Sequence, residues 1–433
     1  MKNRILLGSA LGAVVVGMTL AVTVGGAFAH STGATPLPAA TCGPIQNPDG
    51  DLLIASDLPM QGAGASQRIQ MTKAIADEFQ QAGWKAGNYT IAYQVCDDST
   101  AQTGGWDSGT CQTNASNYAA DASVVGVIGT FNSGCAEIEL PILNRAPSGP
   151  LQLISPANTY VGLTHTGAAT KAGEPGKYYP TGTRNYARVV AADDYQGAAD
   201  ATMMKDLKLK KVFFLNDQQA YGVGVAQNTI NAAKKLGITV VKNVAWNAKA
   251  TSYSALALQI KNSGAQAVFL GGLICENGGK LIKDIRTNAP KVAILAPDGF
   301  TPISSDVQQT GGKAEGMYVS VAGLPVDQLP AAGQAWAKHF ETLIGGATPD
   351  PYSAYAAQVA QEYLTAIAAS DGTRAGVSAA VYKVNITDGI LGHIQFNPNG
   401  DVSSNPVTIY IVAHGKPGVA KVITPPLSLV SAA

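Results

Sequence analysis

The chain has 433 residues and carries 29 basic and 29 acidic side chains, so it has no formal net charge at pH 7. Proteins that bind nucleic acids usually present a basic stripe, and because the sequence contains none, no nucleic-acid partner is expected. A chain of this length exceeds one ordinary hydrophobic core, which predicts two domains. A charged fraction of 13% with 48 glycines is typical of a compact, exported α/β protein.

The amino terminus has the pattern of a secretory signal peptide. Basic residues precede an apolar run that ends near residue 24, and Ala27-Phe28-Ala29 supplies the small residues of a cleavage site. We therefore predict a signal peptide over residues 1–29, cleaved after Ala29, and a periplasmic, secreted or cell-surface protein. The apolar run is also long enough to span a membrane, so an uncleaved anchor is the alternative. Residues 30–48 are rich in Pro, Ala, Gly and Thr and predict a flexible lead-in.

Strand and helix patterns alternate along the rest of the chain. The first run predicts strands at 51–56, 89–95, 124–129 and 151–154 and a helix at 64–82, in which Met71, Ile75 and Phe79 share one face. The second run predicts strands at 210–215, 239–243, 267–271 and 292–295 and helices at 222–236, 253–263 and 277–287. A strand at 316–321, helices near 330–344, 352–369 and 374–384, and strands at 393–396 and 407–412 follow. This alternation predicts an α/β protein with two parallel sheets flanked by helices.

Two of the predicted strands run directly into small polar loops. The strand at 124–129 is followed by Thr130-Phe131-Asn132-Ser133-Gly134-Cys135, and the strand at 151–154 by Ser155-Pro156-Ala157-Asn158-Thr159. Ligands of parallel α/β sheets bind just beyond the carboxyl ends of the strands. Hydroxyls and free backbone N–H groups at such ends predict a site for a small anionic group such as a carboxylate.

Five cysteines in an exported chain predict disulfides with one thiol left over. Cys96 and Cys111 flank a loop rich in Asp, Thr and Gly, which favours a bond between them, and the competing pairing is Cys111 with Cys135. No CxxC or Cys/His spacing resembles a zinc site, so no metal is expected.

Seven motifs, in order along the chain, resemble those of the extracytoplasmic binding proteins for leucine, isoleucine and valine that serve ATP-binding-cassette importers. They are the signal peptide, the two polar loops, Gln219-Ala220-Tyr221-Gly222, Pro297-Asp298-Gly299, Ala314-Glu315-Gly316 and Phe396-Asn397-Pro398-Asn399-Gly400-Asp401. The resemblance implies two Rossmann-like lobes joined by three hinge crossovers near 188–192, 320–325 and 394–405. It places lobe 1 at 49–190 and 323–396, and lobe 2 at 191–322 and 397–433, the latter including the tail.

The resemblance also implies how a zwitterion is held. The ligand carboxylate would lie on Ser133, Gly134 and Thr159, at helix starts where the helix dipole favours an anion. The ligand ammonium would meet the backbone carbonyl of Ala157 and the carboxylate of Asp298. The remaining cleft residues would be Tyr221, which closes over the ligand, with Phe131, Asn158, Leu273 and Glu276.

Each of these side chains also has a structural interpretation. Ser133 is a favourable helix cap, Thr159 and Asp298 suit turns, Tyr221 suits loop packing, and Glu276 suits the dipole of the helix that follows it. Among the tyrosines of the 352–369 helix, only Tyr352, at its start, is expected near the pocket. The sequence also departs from the family. The loop at 59–66 has no aromatic residue, and Leu273 stands where a tyrosine is common, which leaves the identity of the ligand side chain open.

The prediction is a monomeric solute-binding protein that captures a branched-chain or other apolar amino acid and delivers it to a membrane permease. It uses no cofactor and is not an enzyme, since the five histidines show no HExxH or triad spacing and no GxSxG motif occurs. A component of a sensor with the same fold, or a binding protein for amides or small aromatic acids, is the alternative.

Overall fold

The computed structural model describes residues 33–167 and 169–430, and the predicted signal peptide and its cleavage site lie outside them. The strands are β1 Leu52–Leu58, β2 Lys85–Ala86, β3 Tyr89–Asp97, β4 Ser99–Thr100, β5 Gly105–Trp106, β6 Val124–Gly129, β7 Gln152–Ser155, β8 Tyr186–Arg188, β9 Lys211–Asn216, β10 Thr239–Ala245, β11 Ala267–Gly271, β12 Ala293–Ala296, β13 Tyr318–Ala322, β14 Asn385–Gly389, β15 Gly392–Gln395, β16 Val407–Ala413 and β17 Lys416–Ile423. The helices are α1 Ala65–Gln81, α2 Ser108–Ala120, α3 Ser133–Asn144, α4 Asp193–Asp206, α5 Ala220–Lys235, α6 Ser254–Asn262, α7 Gly278–Asn288, α8 Ile303–Thr310, α9 Ala331–Leu343, α10 Pro351–Ala368 and α11 Arg374–Val381. None of these helices has the length and apolarity of a membrane span.

Two large sheets organise the described chain. The first has the strand order β2-β3-β1-β6-β7-β8, and the second has the order β10-β9-β11-β12-β13-β16-β17. Pairing is parallel through the centre of both sheets, whereas β2 pairs with β3, and β16 with β13 and β17, in the antiparallel sense. The central strands are buried on both faces, which explains why β6 and β11 are continuous apolar runs without alternation. The predicted pair of α/β lobes is confirmed, with antiparallel strands added at the edges.

The helices that follow the second sheet return to the first one. Tyr363 of α10 donates to the carbonyls of Val127 and Gln152, and a Cβ at Gly126 would lie 2.2 Å from its ring. Gly126 therefore lets α10 approach β6 closely. Tyr363 is a packing residue, as the sequence predicted.

Three segments carry the chain between the two sheets, at residues 189–192, 323–330 and 396–406. They fall close to the three crossovers expected from the resemblance. The boundaries assigned to the lobes stay predictions.

The prediction of a flexible lead-in is wrong for residues 33–48, the part of the lead-in that the structure describes. Ala34, Leu37 and Cys42 are buried against the first sheet. The backbone N–H of Leu37 donates to the side chain of Gln94, and Cys42 forms a disulfide with Cys96. A covalent bond and apolar burial fix a stretch whose composition alone indicates a loop.

The disulfides correct the favoured pairing and confirm the competing one. Cys96 bonds to Cys42 rather than to Cys111, and Cys111 bonds to Cys135 with its S–S distance at 2.05 Å. Cys275 is the cysteine left free. Cys96 and Cys111 are close in sequence, but they lie at the end of β3 and in α2, and each meets a cysteine from a more distant segment.

Several elements have no clear signal in the sequence. α4 was missed because it is buried around most of its circumference, so apolar and polar residues do not separate into faces. β17 was missed because it is an exposed edge strand that contains Pro417 and two lysines.

Candidate functional site

The two polar loops meet at the carboxyl edge of the first sheet, as the sequence predicts. Helix α3 begins at Ser133, and its N-cap residue Asn132 makes no side-chain capping hydrogen bond. The hydroxyl of Ser133 accepts a hydrogen bond from the backbone N–H of Tyr160 at 3.3 Å, which brings it beside Thr159. Gly134 is packed under Trp106, because a Cβ there would lie 2.6 Å from the indole ring. A helix amino terminus and two hydroxyls therefore converge where an anion is favoured.

Asn158 holds the two loops together from behind. Its amide nitrogen donates to the carbonyls of Thr130, at 2.8 Å, and Phe131, at 3.0 Å. The Ser155 hydroxyl accepts from the backbone N–H groups of Ala157 and Asn158 and donates to Thr130. Asn158 is fully buried and does not line the cavity. It positions the loops instead of forming part of the cleft wall.

Arg188, at the end of β8, supports the Thr159 loop from below. Its guanidinium donates to the carbonyls of Asn158 and Tyr160, which flank Thr159, and to the hydroxyl of Thr164. Its Nε lies 2.7 Å from Asp401, in the crossover at 396–406. Burial alone would raise the pKa of Asp401, but the Arg188 charge and the His165 hydrogen bond hold it well below its usual value. The Thr159 loop is thus tied to the crossover by an ion pair in which Arg188 is fully buried and Asp401 is 14% exposed.

His165 extends this ion pair to a second carboxylate. Its ring nitrogens lie 3.1 Å from Asp401 and 3.4 Å from Asp194. Burial alone would lower the pKa of His165, but the hydrogen bonds to Asp194 and Asp401 raise it to about 9, against the opposing charge of Arg188. Protonated His165 therefore stabilises the fold, and this contribution is fully present below pH 6.5 and is lost as the pH rises through about 9.

We expect the free energy of unfolding to fall between pH 7 and pH 9.5 and His165→Gln to remove the part of this fall that His165 contributes. The contribution is at most about 3 kcal/mol, since one pKa unit corresponds to about 1.4 kcal/mol. Urea unfolding at pH 6.5 and pH 9.5 measures it. His393→Gln, at an exposed position of β15, is the control. An unchanged pH slope in His165→Gln would remove His165 from this role.

Asp298 presents a buried carboxylate from the second sheet. It follows β12 and accepts hydrogen bonds from the hydroxyls of Tyr221, at 2.5 Å, and Tyr352, at 2.6 Å. The Tyr221 hydroxyl also accepts from the backbone N–H of Gly299. Burial raises the pKa of Asp298, and the two tyrosine hydroxyls oppose that shift. Tyr352 comes from the start of α10 on the first lobe, so the Tyr352–Asp298 contact joins the two lobes.

Asp193 is a second acid close to this position. It is fully buried at the start of α4, and its backbone N–H donates to the carbonyl of Thr159 at 2.8 Å. Burial and the charge of Asp298 raise its pKa well above the usual value. Nothing in the local sequence distinguishes Asp193 from a helix-start acid. Because Asp193 contacts Thr159 and is absent from the cavity wall, the carboxylate that faces the cavity is that of Asp298.

A narrow cavity lies between the hydroxyls of Ser133 and Thr159 on one side and the carboxylate of Asp298 on the other. Its volume of about 10 Å³ has room for about one water molecule. Of the sequence-predicted residues, its wall includes Phe131, Ser133, Ala157, Thr159, Tyr221, Leu273 and Asp298. Asn132 and Gly299 complete the wall and had not been predicted. Glu276 lies elsewhere, where it accepts a hydrogen bond from Gln219 at 2.6 Å. A ligand larger than water requires the lobes to separate or these side chains to move.

Three buried carboxyl groups lie behind α3, next to the Cys111–Cys135 disulfide. Asp57, Asp98 and Glu139 are all fully buried. Oxygen atoms of Asp57 and Glu139 lie within 4.8 Å of each other and of the Cys135 sulfur. Burial, followed by the charge of Asp57, raises the pKa of Glu139 well above its usual value. The folded protein therefore favours protonated Glu139. The contribution of this protonated acid to the free energy of unfolding is lost as the pH rises.

We expect Glu139→Gln to stabilise the protein at pH 8, because the amide removes the cost of a buried charge. At pH 5 the difference from the native protein should be smaller. Urea unfolding at both pH values measures it. Glu137→Gln is the matched control, because Glu137 lies on the same helix and pairs with Lys171 and Tyr178. Destabilisation of Glu139→Gln at pH 8 would contradict the expectation.

Comparison with known proteins identifies the family. The family model for periplasmic binding proteins matches residues 54–416. The Leu/Ile/Val-binding protein homolog 2 of Brucella abortus is 24% identical over 378 residues, which cover 85% of this chain and 92% of that protein. The Leu/Ile/Val-binding protein homolog 1 of the same species is 26% identical over 356 residues, which cover 81% of this chain and 87% of that protein.

Solved structures share the fold. A leucine-binding protein from Thermotoga maritima superposes with a TM-score of 0.75 at 21% identity, covering 86% of this chain and 99% of that one. A solute-binding protein of an ABC transporter from R. palustris, solved with 4-hydroxybenzoate, has a TM-score of 0.71 at 16% identity. The superposition covers 87% of this chain and 98% of that one. The resemblance seen in the motifs is confirmed, and so is the prediction of a binding protein rather than an enzyme. With the family model matched over most of its length, the chain belongs to the periplasmic binding proteins.

Proposed function

We propose that the protein binds the zwitterionic core of an α-amino acid between its two lobes. The observation that carries the proposal is the opposite polarity of the two ends of one cavity. Ser133 begins α3 and Thr159 lies beside it in the loop after β7, whereas the buried carboxylate of Asp298 faces the cavity from the second lobe. An α-carboxylate matches the first end and an α-ammonium the second.

The names of the relatives make leucine, isoleucine and valine the first ligands to test. Delivery of the ligand to the membrane permease of an ATP-binding-cassette importer follows from the same comparison. We further propose that the protein acts as a monomer outside the cytoplasm after cleavage of its signal peptide following Ala29. The second candidate ligand is a small aromatic acid, which has a carboxylate but no ammonium group to meet Asp298. The 4-hydroxybenzoate complex of a structural neighbour supports it.

The test is thermal melting and calorimetric titration of the protein starting at His30 against the L-amino acids, their amides, benzoate and 4-hydroxybenzoate. A ligand at a hundred times its Kd adds about 2.7 kcal/mol of stability, which raises the melting temperature by several degrees. Ser133→Ala and Thr159→Val should reduce the shift, because each removes a hydroxyl from the carboxylate end. Shifts only with acids that lack an α-amino group would overturn the zwitterion and favour the second candidate.

A further inference from the structure

A buried guanidinium lies against the wall of the cavity. Arg68 is in the first turn of α1 and is only 6% exposed. Its Cζ lies 3.6 Å from the centre of the Phe131 ring, and Phe131 is one of the residues that line the cavity. Tyr352 packs edge-on against the same ring, with the ring centres 5.4 Å apart. Arg68 does not itself line the cavity in this structure, and it lies next to the cavity through its contact with the Phe131 ring.

The hydrogen bonding of this guanidinium is incomplete. A guanidinium has five N–H donors. Arg68 uses Nη1 to donate to the carbonyl of Gly64, at 2.9 Å, while its buried Nε has no partner. Within residues 33–167 and 169–430, no carboxylate oxygen lies within 4.0 Å of its nitrogens. A buried cation in this state is costly unless an anionic group arrives to meet it.

The surroundings of Arg68 contain acids, but they do not form ion pairs with it. Burial lowers the pKa of Arg68 to about 10, although the charges of Asp350 and Asp98 act in the opposite direction. Asp350 is already engaged, since it accepts from Gln67 and from the backbone N–H of Tyr352. Asp98 is fully buried, and neither of its oxygens has a hydrogen-bond partner. The guanidinium therefore retains donors for a ligand.

We propose that Arg68 binds an anionic group at the far end of the ligand, so that the preferred ligand is an acidic amino acid. This rests on the proposed function, in which Ser133, Thr159 and Asp298 hold the zwitterionic core. The side chain of such a ligand extends along Phe131, and its carboxylate meets the Nε of Arg68. A leucine side chain in the same place leaves that donor buried and unpaired, so the acidic ligand is favoured over the apolar one.

The experiment is calorimetric titration of the native protein and Arg68→Met with L-glutamate, L-aspartate, L-glutamine, L-asparagine and L-leucine. Methionine keeps an unbranched chain over the Phe131 ring and removes the charge. We expect the native protein to bind glutamate or aspartate at least tenfold more tightly than the matching amide or leucine. In Arg68→Met, affinity for the acidic ligand should fall about a hundredfold, while leucine should bind as well as before or better. Arg145→Met removes a charge from an exposed position at the end of α3 and should leave all affinities unchanged.

The outcomes separate the two proposals. Leucine binding that exceeds glutamate and aspartate binding in the native protein overturns the role of Arg68 and leaves the zwitterion site intact. An unchanged ratio of acid to amide in Arg68→Met also overturns it. Failure of these five amino acids and of the other L-amino acids in the melting screen to bind would overturn the proposed function itself. Thermal melting of Arg68→Met shows whether the variant is folded, and retained leucine binding shows that its site is formed.

Discussion

Asp298→Asn is expected to weaken binding of an α-amino acid by about 30-fold to several thousandfold, because a buried charge pair loses one partner. Loss of one member of such a pair typically costs 2–5 kcal/mol of binding free energy. Asparagine has nearly the same shape as aspartate, and its side-chain oxygen still accepts a hydrogen bond from Tyr221 or Tyr352. The predicted loss is therefore assigned to the charge that meets the ammonium group and not to the packing around it.

Calorimetric titration with a pair of ligands makes this test specific. The L-amino acid that gives the largest melting shift is compared with its 2-oxo analogue, which has no ammonium group. Asp298→Asn should weaken binding of the amino acid and leave binding of the 2-oxo acid unchanged or improved. Asp206→Asn, at an exposed ion pair with Lys421 in the second lobe, is the control. Equal losses for both ligands would show that Asp298 acts through the shape of the site.

The sequence predicts the fold well because its signals are local. Continuous apolar strands such as β6 and β11 identify parallel sheets covered on both faces, and the spacing of Met71, Ile75 and Phe79 identifies the buried face of α1. The loops after β6 and β7 can be assigned to one edge because parallel strands point the same way. Where the signal is absent, as in the evenly buried α4, the prediction fails.

Parts of the site were missed because they depend on contacts between residues far apart in the sequence. Arg188 meets Asp401 across 213 positions, and Arg68 reaches the Phe131 ring from another element. The bond between Cys42 and Cys96 spans 54 positions and holds a segment whose composition indicates a loop. No pattern in the sequence specifies such partners, since each is decided by how the elements pack. Tyr352 is the exception, because its place at a helix start separated it from the other tyrosines of α10.

The second large effect is expected at the ion pair between Arg188 and Asp401. Arg188→Met should lower the free energy of unfolding by about 3–5 kcal/mol, since the mostly buried Asp401 carboxylate loses the guanidinium and keeps His165 as a charged partner. The same change removes the guanidinium hydrogen bonds to the carbonyls of Asn158 and Tyr160. Urea unfolding at pH 7 measures the loss, and Lys421→Met, at an exposed ion pair, is the control. A loss below 1 kcal/mol would contradict the expectation.

The double variant Arg188→Met/Asp401→Asn separates the charge from the support of the site. Removing both charges should recover part of the stability, because the carboxylate that lost its guanidinium is gone. Ligand affinity should not recover in parallel, because the carbonyls on either side of Thr159 still lack the guanidinium that holds them. If stability and affinity recover together, the ion pair acts only on folding. If stability alone recovers, Arg188 also positions the Thr159 loop, which we propose binds the ligand carboxylate. Arg188 would then link the crossover at 396–406 to the binding site.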